Sequence, residues 1–162
     1  MKSTVKIPAV LLKNPVHFLA LGFGSGLLPK APGTFGTLAA IPVYCAFASL
    51  SVSWYVLAVL VLSLAGVAIC DYTSKQLRVH DHPGIVFDEI AGYLLTMTAI
   101  PFGIGWMLAG FVAFRFFDII KPWPISWLDK HVHGGLGIML DDLLAGVMAW
   151  LVLQLAQWFL LL

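Results

Sequence analysis

Residues 31–70 read APGTFGTLAAIPVYCAFASLSVSWYVLAVLVLSLAGVAIC, forty consecutive positions without a Lys, Arg, Asp or Glu. A helix needs about 20 apolar residues to cross the hydrocarbon core of a bilayer. The run therefore accommodates two spans, 35–51 and 53–71, with Ser-Leu-Ser-Val-Ser as the turn. Two more charge-free runs follow, at 90–114 and 143–162. Over the whole chain of 162 residues, 60% are hydrophobic and only 10% charged, against about 25% charged in a typical soluble domain. A soluble fold so poor in charge could not cover its surface. The expected fold class is all-α, a polytopic membrane helical bundle forming one membrane-embedded domain over 1–162. A net charge of +1 gives no electrostatic case for nucleic acid.

The middle run, 90–114, decides the topology. It reads either as one span of 25 residues or as two short helices joined at Ile100-Pro101-Phe102-Gly103-Ile104-Gly105. Proline breaks a helix interior and the two glycines favour a turn. Every charged residue falls in 2–30, 71–89 or 115–142. The hairpin reading puts all three stretches on one face, as the collection of Lys and Arg on the cytoplasmic side of membrane proteins requires. Five membrane helices result, two of them short, with charged loops on one face, the N-terminus inside and the C-terminus outside. The N-terminal 24 residues, basic at the start and only modestly apolar, read as an uncleaved cytoplasmic or interfacial segment.

The acids carry the chemical signal. Asp88-Glu89, Asp118 and Asp141-Asp142 sit at expected helix ends. Acids at the edge of an apolar span are costly unless paired or functional. Four of the five are expected to start a helix, where the macrodipole favours negative charge. Asp118 is expected to close one, where a local pair with Arg115 or Lys121 would steady it. Carboxylates converging from three helices repel one another, and a divalent cation removes that repulsion. All-oxygen ligands suit Mg²⁺ or Mn²⁺, and Mg²⁺ is the expected ion. Zinc is the alternative, through His131 and His133 beside a Gly-Gly-Leu-Gly loop. Lys30, Lys75, Arg78, Arg115, Lys121 and Lys130 share the expected face and suit an anionic substrate.

Other features read more plainly. Asp71 and Lys75, four apart, form a helix-end ion pair. Cys45 and Cys70 read as small buried hydrophobes. In the glycine-rich segment from Gly22 to Thr37, Thr34 either caps the first span and offers backbone N–H groups to a phosphate, or lies in a re-entrant loop. Pro122-Trp123-Pro124 and Trp127 suit the membrane interface. No Cys-x5-Arg, Asp-x-Asp or Pro-Ser-Gly-His motif occurs. If the chain is a phosphatase, the chemistry left to it is water activated by a metal.

Three blocks carry a resemblance: GFGSGLLPKAPGTFGTL (22–38), DHPGIVFDEIAGY (81–93) and FRFFDIIKPWPISWLDKHVHGGLGIMLDDLLAG (114–146). Together they resemble the phosphatidylglycerophosphatase A family of bacterial membrane enzymes. The resemblance implies Mg²⁺-dependent hydrolysis of phosphatidylglycerophosphate to phosphatidylglycerol and phosphate. It also implies a multi-pass protein among the lipids of the inner membrane, with its site facing the cytoplasm. On that expectation Asp88, Glu89, Asp118, Asp141 and Asp142 hold the metal, and Asp88, Glu89, Asp142 and Arg115 are catalytic. Lys30, Thr34, Arg115, Lys121 and His133 bind the phosphate. His131 or His133 protonates the leaving glycerol oxygen. The rival reading is an ion- or proton-coupled transporter, which places ionisable groups near mid-span; here the long apolar runs carry none. A scaffold without chemistry is a third reading, and it leaves the clustered acids unexplained. The sequence says nothing of oligomeric state.

Overall fold

The computed structural model describes residues 7–79 and 81–160, and among them every regular element is helical. Lys2 and Lys6, in the first charged stretch, lie outside the described residues, as do the last two leucines of the final run. Seven α-helices are joined by loops and two short 3-10 turns, Ala9–Lys13 before the first and Gly22–Leu27 between the first and second: α1 (Pro15–Ala20), α2 (Pro32–Phe47), α3 (Val52–Leu77), α4 (Phe87–Thr96), α5 (Ile104–Ile120), α6 (Ile125–His131) and α7 (Gly134–Leu160). Two of them, α3 and α7, are long and apolar enough to cross a membrane, with mean hydropathies of 2.3 and 1.9 in their most apolar windows.

Short α4 is the hub. It packs against α2, α3, α5 and α7, while α7 also covers α3 and α5. Only Glu89 and Leu95 of its ten residues escape full burial. Specific contacts set the directions. Tyr55 Oη donates to Leu94 O at 2.7 Å, and Gly66 faces both Met139 and Phe87; α3 therefore runs antiparallel to α4 and α7. Gly92 of α4 lies on Gly146 of α7, and Trp150 Nε1 donates to Thr98 O beyond the end of α4 at 2.9 Å, so those two helices run parallel. Gly110 of α5 faces Met97 and Leu153, and Lys121 at the end of α5 reaches Asp141 near the start of α7 at 2.5 Å, which makes α5 antiparallel to α7. The starts of α2, α4 and α7 and the ends of α3 and α5 thus lie at one end of the bundle. That end carries the charged stretches.

The middle apolar run is broken, as proline and glycine predict, but the break falls at 97–103. Ala99 adopts φ 56° within it. Thr98 O, freed from helical bonding, accepts from Trp150 and, at 3.4 Å, from Gln154 Nε2. Irregular backbone within an apolar bundle persists where neighbouring side chains satisfy it in this way.

Three local expectations are corrected. The last helix starts at Gly134, nine residues before the expected 143, because its glycines let it approach α3 closely: a Cβ at Gly135 would overlap Val67 O. Asp71 of α3 accepts from Gly135 N–H at 3.2 Å and so caps this helix from outside, besides pairing with Lys75 at 2.6 Å. Asp141 and Asp142 therefore sit two turns inside α7 and gain nothing from its first-turn dipole. The start of α2 is capped by no side chain; Ala31 precedes Pro32 at N1, and Thr34 lies within the first turn. Cys70 is buried as expected, whereas Cys45 is exposed on the isolated chain.

Candidate active site

The site follows from one helix crossing. A Cβ at Gly146 would stand 2.6 Å from Gly92 O, and one at Gly92 would stand 2.7 Å from Asp142 O. Glycine at both positions is what lets α4 and α7 touch backbone to backbone, as small residues do at helix interfaces in membranes. Asp88 precedes Gly92 by four residues, and Asp142 precedes Gly146 by four. Residues four apart share a helix face, so the crossing sets Asp88 beside Asp142 one turn nearer the charged end. Glu89 joins them from the adjacent position on α4. One oxygen-bearing ligand atom from each of Asp88, Glu89 and Asp142 lies within 4.8 Å of the others.

These carboxylates are buried and underserved. Asp88 Oδ1, Glu89 Oε2 and Asp142 Oδ2 have no hydrogen-bond partner among the described residues. Their cationic neighbour is Arg115 on α5, with Nη1 at 3.8 Å from Glu89 Oε1 and in a close ion pair with Asp118 one turn on. Gly33 at the start of α2 leaves room for this pair, since a Cβ there would overlap Glu89 Oε1. Four carboxylates against one guanidinium, −4 + 1, leave three negative charges uncompensated. Burying charges unpaired costs several kcal/mol each. A divalent cation answers that cost, and the all-oxygen donor set that α4 and α7 bring together fits a hard ion such as Mg²⁺.

A cavity of about 460 Å³ surrounds these groups, within the roughly 300–1,000 Å³ usual for small-molecule sites. Seven of the chain's eight acids line it: Asp81, Asp88, Glu89, Asp118, Asp129, Asp141 and Asp142. Arg115 and Lys121 line it too, with Pro32 and Ile119. Asp141 stands apart from the triple, because Lys121 Nζ donates to its Oδ2 at 2.5 Å and to Asp129 Oδ1 at 2.6 Å. Burial alone would lower the Lys121 pKa, but the two carboxylates outweigh it and hold the ammonium above its ordinary range.

Other expected residues lie elsewhere. Lys30, Thr34 and His133 are not among the lining residues. His131 is exposed, its ring stacked on Trp127 at 4.6 Å and its Nδ1 2.7 Å from Trp127 O. The glycine-rich turn, Gly22–Leu27, instead braces the 81–86 loop: Gly26 abuts Gly84, and Val86 N–H donates to Ala20 O at 2.9 Å. His17 anchors the preceding helix, with Nδ1 2.9 Å from Thr73 Oγ1. Asp81 and Asp129 escape a reading based on clusters because each stands alone in the sequence. The signal that reaches them is coarser: nearly all the acids sit on one face.

An all-helical chain with a polar cavity of buried carboxylates and one guanidinium at the charged end of an apolar bundle has the make-up of a membrane-associated phosphatase. A profile of the family described as "Phosphatidylglycerophosphatase A" matches residues 18–157. The chain is 50% identical over 139 residues to phosphatidylglycerophosphatase A of Escherichia coli K12, covering 85% of this chain and 81% of that protein. It is 42% identical over 154 residues to phosphatidylglycerophosphatase A of Haemophilus influenzae, covering 94% of each. The chain belongs to the phosphatidylglycerophosphatase A family. No solved structure matches it.

Proposed function

We propose that this protein hydrolyses the terminal phosphate monoester of phosphatidylglycerophosphate, releasing phosphatidylglycerol and inorganic phosphate, with Mg²⁺ held by Asp88, Glu89 and Asp142. The observation that carries the reading is the triple of buried carboxylates with unpartnered oxygens beside Arg115. Bound there, a divalent cation supplies neutralisation of phosphoryl oxygens and acidification of water. Arg115 offers N–H groups to the phosphate, and Asp118 fixes the direction of its guanidinium. Phosphoryl transfer depends mostly on such positioning and charge stabilisation. Glu89 Oε2 or Asp142 Oδ2, each unpartnered, accepts the proton of the attacking water. As the P–O bond to glycerol breaks, the leaving oxygen, on the opposite side of phosphorus, takes a proton from a different cavity carboxyl or from water, which needs no imidazole in the cavity.

The bilayer setting belongs to the same proposal. Helices α2, α3, α4, α5 and α7 are read as five membrane helices in the bacterial inner membrane, with the acid-bearing end toward the cytoplasm. Short α4 leaves the head-group cavity recessed, while the acyl chains stay in lipid. Broadly exposed apolar residues on the outer faces, such as Leu64 (66%), Val112 (66%) and Leu155 (57%), suit hydrocarbon and not water.

The test is phosphate release from phosphatidylglycerophosphate by the purified protein in detergent. Release is expected to stop with EDTA, to return with Mg²⁺, and to fall about 10²–10³-fold in Asp88→Asn, the usual cost of losing one electrostatic stabiliser. Undiminished turnover after exhaustive chelation would sink the metal assignment.

A further inference from the structure

Lys121 lines the cavity but already has two anionic partners. Its ammonium lies 2.6 Å from Asp129 Oδ1 and 2.5 Å from Asp141 Oδ2. One positive charge against two carboxylates leaves the group net negative, +1 − 2, and a phosphate dianion meets repulsion there. Lys121 becomes useful to a phosphate only when one carboxylate lets go.

The two partners differ in how firmly they are held. Asp141 belongs to the 27-residue α7 and its side chain is 10% exposed. Asp129 belongs to the seven-residue α6 and its side chain is 40% exposed. Among the described residues α6 makes its substantial contacts with α7 alone, and Pro122 and Pro124 separate it from α5. Ion pairs this exposed are weak, so Asp129 is the partner that yields. Lys121 itself is pinned. Its backbone has φ 46°, the left-handed region that a residue with a Cβ enters only when its surroundings impose it. Its N–H donates to Phe117 O at 2.8 Å. The side chain can therefore swing between Asp129 and the cavity while its root stays fixed.

We propose that Asp129 is a positioning residue that competes with the phosphate monoester for Lys121 and so sets how tightly substrate and product phosphate are held. This rests on the phosphatase reading above. Substrate phosphate displaces Asp129 and takes the Lys121 ammonium, which Asp141 continues to orient. After hydrolysis Asp129 returns and helps expel inorganic phosphate.

The experiment is a double-mutant cycle on the full chain in detergent, reading KM for phosphatidylglycerophosphate and inhibition by inorganic phosphate. Asp129→Asn should lower both KM and the inhibition constant by about threefold to fivefold, the strength of an exposed ion pair. Lys121→Met should raise KM, and in that background Asp129→Asn should do nothing further. Asp129→Glu, which keeps the charge, should behave as wild type. A merely structural role for Asp129 would raise KM or weaken inhibition by phosphate, and would persist without Lys121; either result overturns the proposal, as does an unchanged KM. Asp129→Ser repeats the measurement if the asparagine variant does not fold. If wild-type protein releases no phosphate, the phosphatase reading fails. The proposal then stands or falls on inorganic phosphate binding followed by calorimetry, tighter in Asp129→Asn or not.

Discussion

Arg115 holds Asp118 with one end of its guanidinium and faces Glu89 with the same nitrogen at 3.8 Å. The planar fork can pair with a carboxylate and still offer N–H groups to phosphate oxygens, which an ammonium on a flexible stem cannot do in one fixed geometry. Arg115→Lys keeps the charge and loses the fork. It should lower kcat/KM by about 10²-fold, the order expected when a preorganised donor is lost, with little change in melting temperature. Equal losses in kcat and kcat/KM would mark an interaction made chiefly in the transition state. Lysine at full activity would mean that Arg115 serves only to neutralise Asp118.

The helix crossing behind the site depends on two glycines and not on any charged group. Gly146→Val would drive a branched side chain into the Gly92 carbonyl. Overpacking of this kind typically costs about 1–3 kcal/mol, and here it would also part Asp88 from Asp142. The expected result is a lower melting temperature and a larger proportional loss of activity than of stability. Gly33→Ala separates these effects, because the atoms nearest its Cβ are side-chain atoms of the Glu89–Arg115 pair and not backbone; activity should fall while the fold survives. A Gly146→Val protein with normal turnover would show that the acids do not depend on this crossing. The same glycines mark the limit of what the sequence made legible. Charge-free runs located α2 and α3, proline and glycine marked a break between α4 and α5 a few residues late, and the paired acids pointed to the carboxylate triple. The Gly-Gly-Leu-Gly run reads as loop by propensity. It is helical because close packing on α3 and the cap from Asp71 outweigh that propensity. Lone acids such as Asp81 and Asp129 carry no local pattern, and only the tertiary fold brings them to the cavity.

Taken whole, the bundle turns an even number of apolar helices between charged stretches into a single acidic end. Between Glu89 and Arg115 the chain goes out along α4 and back along α5, so the third charged stretch rejoins the first two. Were 90–114 one continuous helix, Asp118, Asp141 and Asp142 would stand about 35 Å or more from Asp88, at 1.5 Å per residue over 25 residues, and no shared cavity could form. Labelling of single cysteines in membrane vesicles tests this arrangement in a real bilayer. In a background with Cys45→Ser and Cys70→Ala, Arg78→Cys and Lys130→Cys should react from the cytoplasmic side. Leu50→Cys and Phe102→Cys, at the tips of the two turns, should react from the other. Phe102 is 64% exposed and Leu50 40%, so a reagent on the correct side has access to both. Labelling of Lys130→Cys from the side opposite Arg78→Cys would break the hairpin, and with it the reason for assigning acids from α4 and α7 to one metal beside Arg115 of α5. Labelling of both from the cytoplasmic side would leave the head group a route to the cavity from the leaflet that faces the charged end, with the acyl chains never having to leave the hydrocarbon.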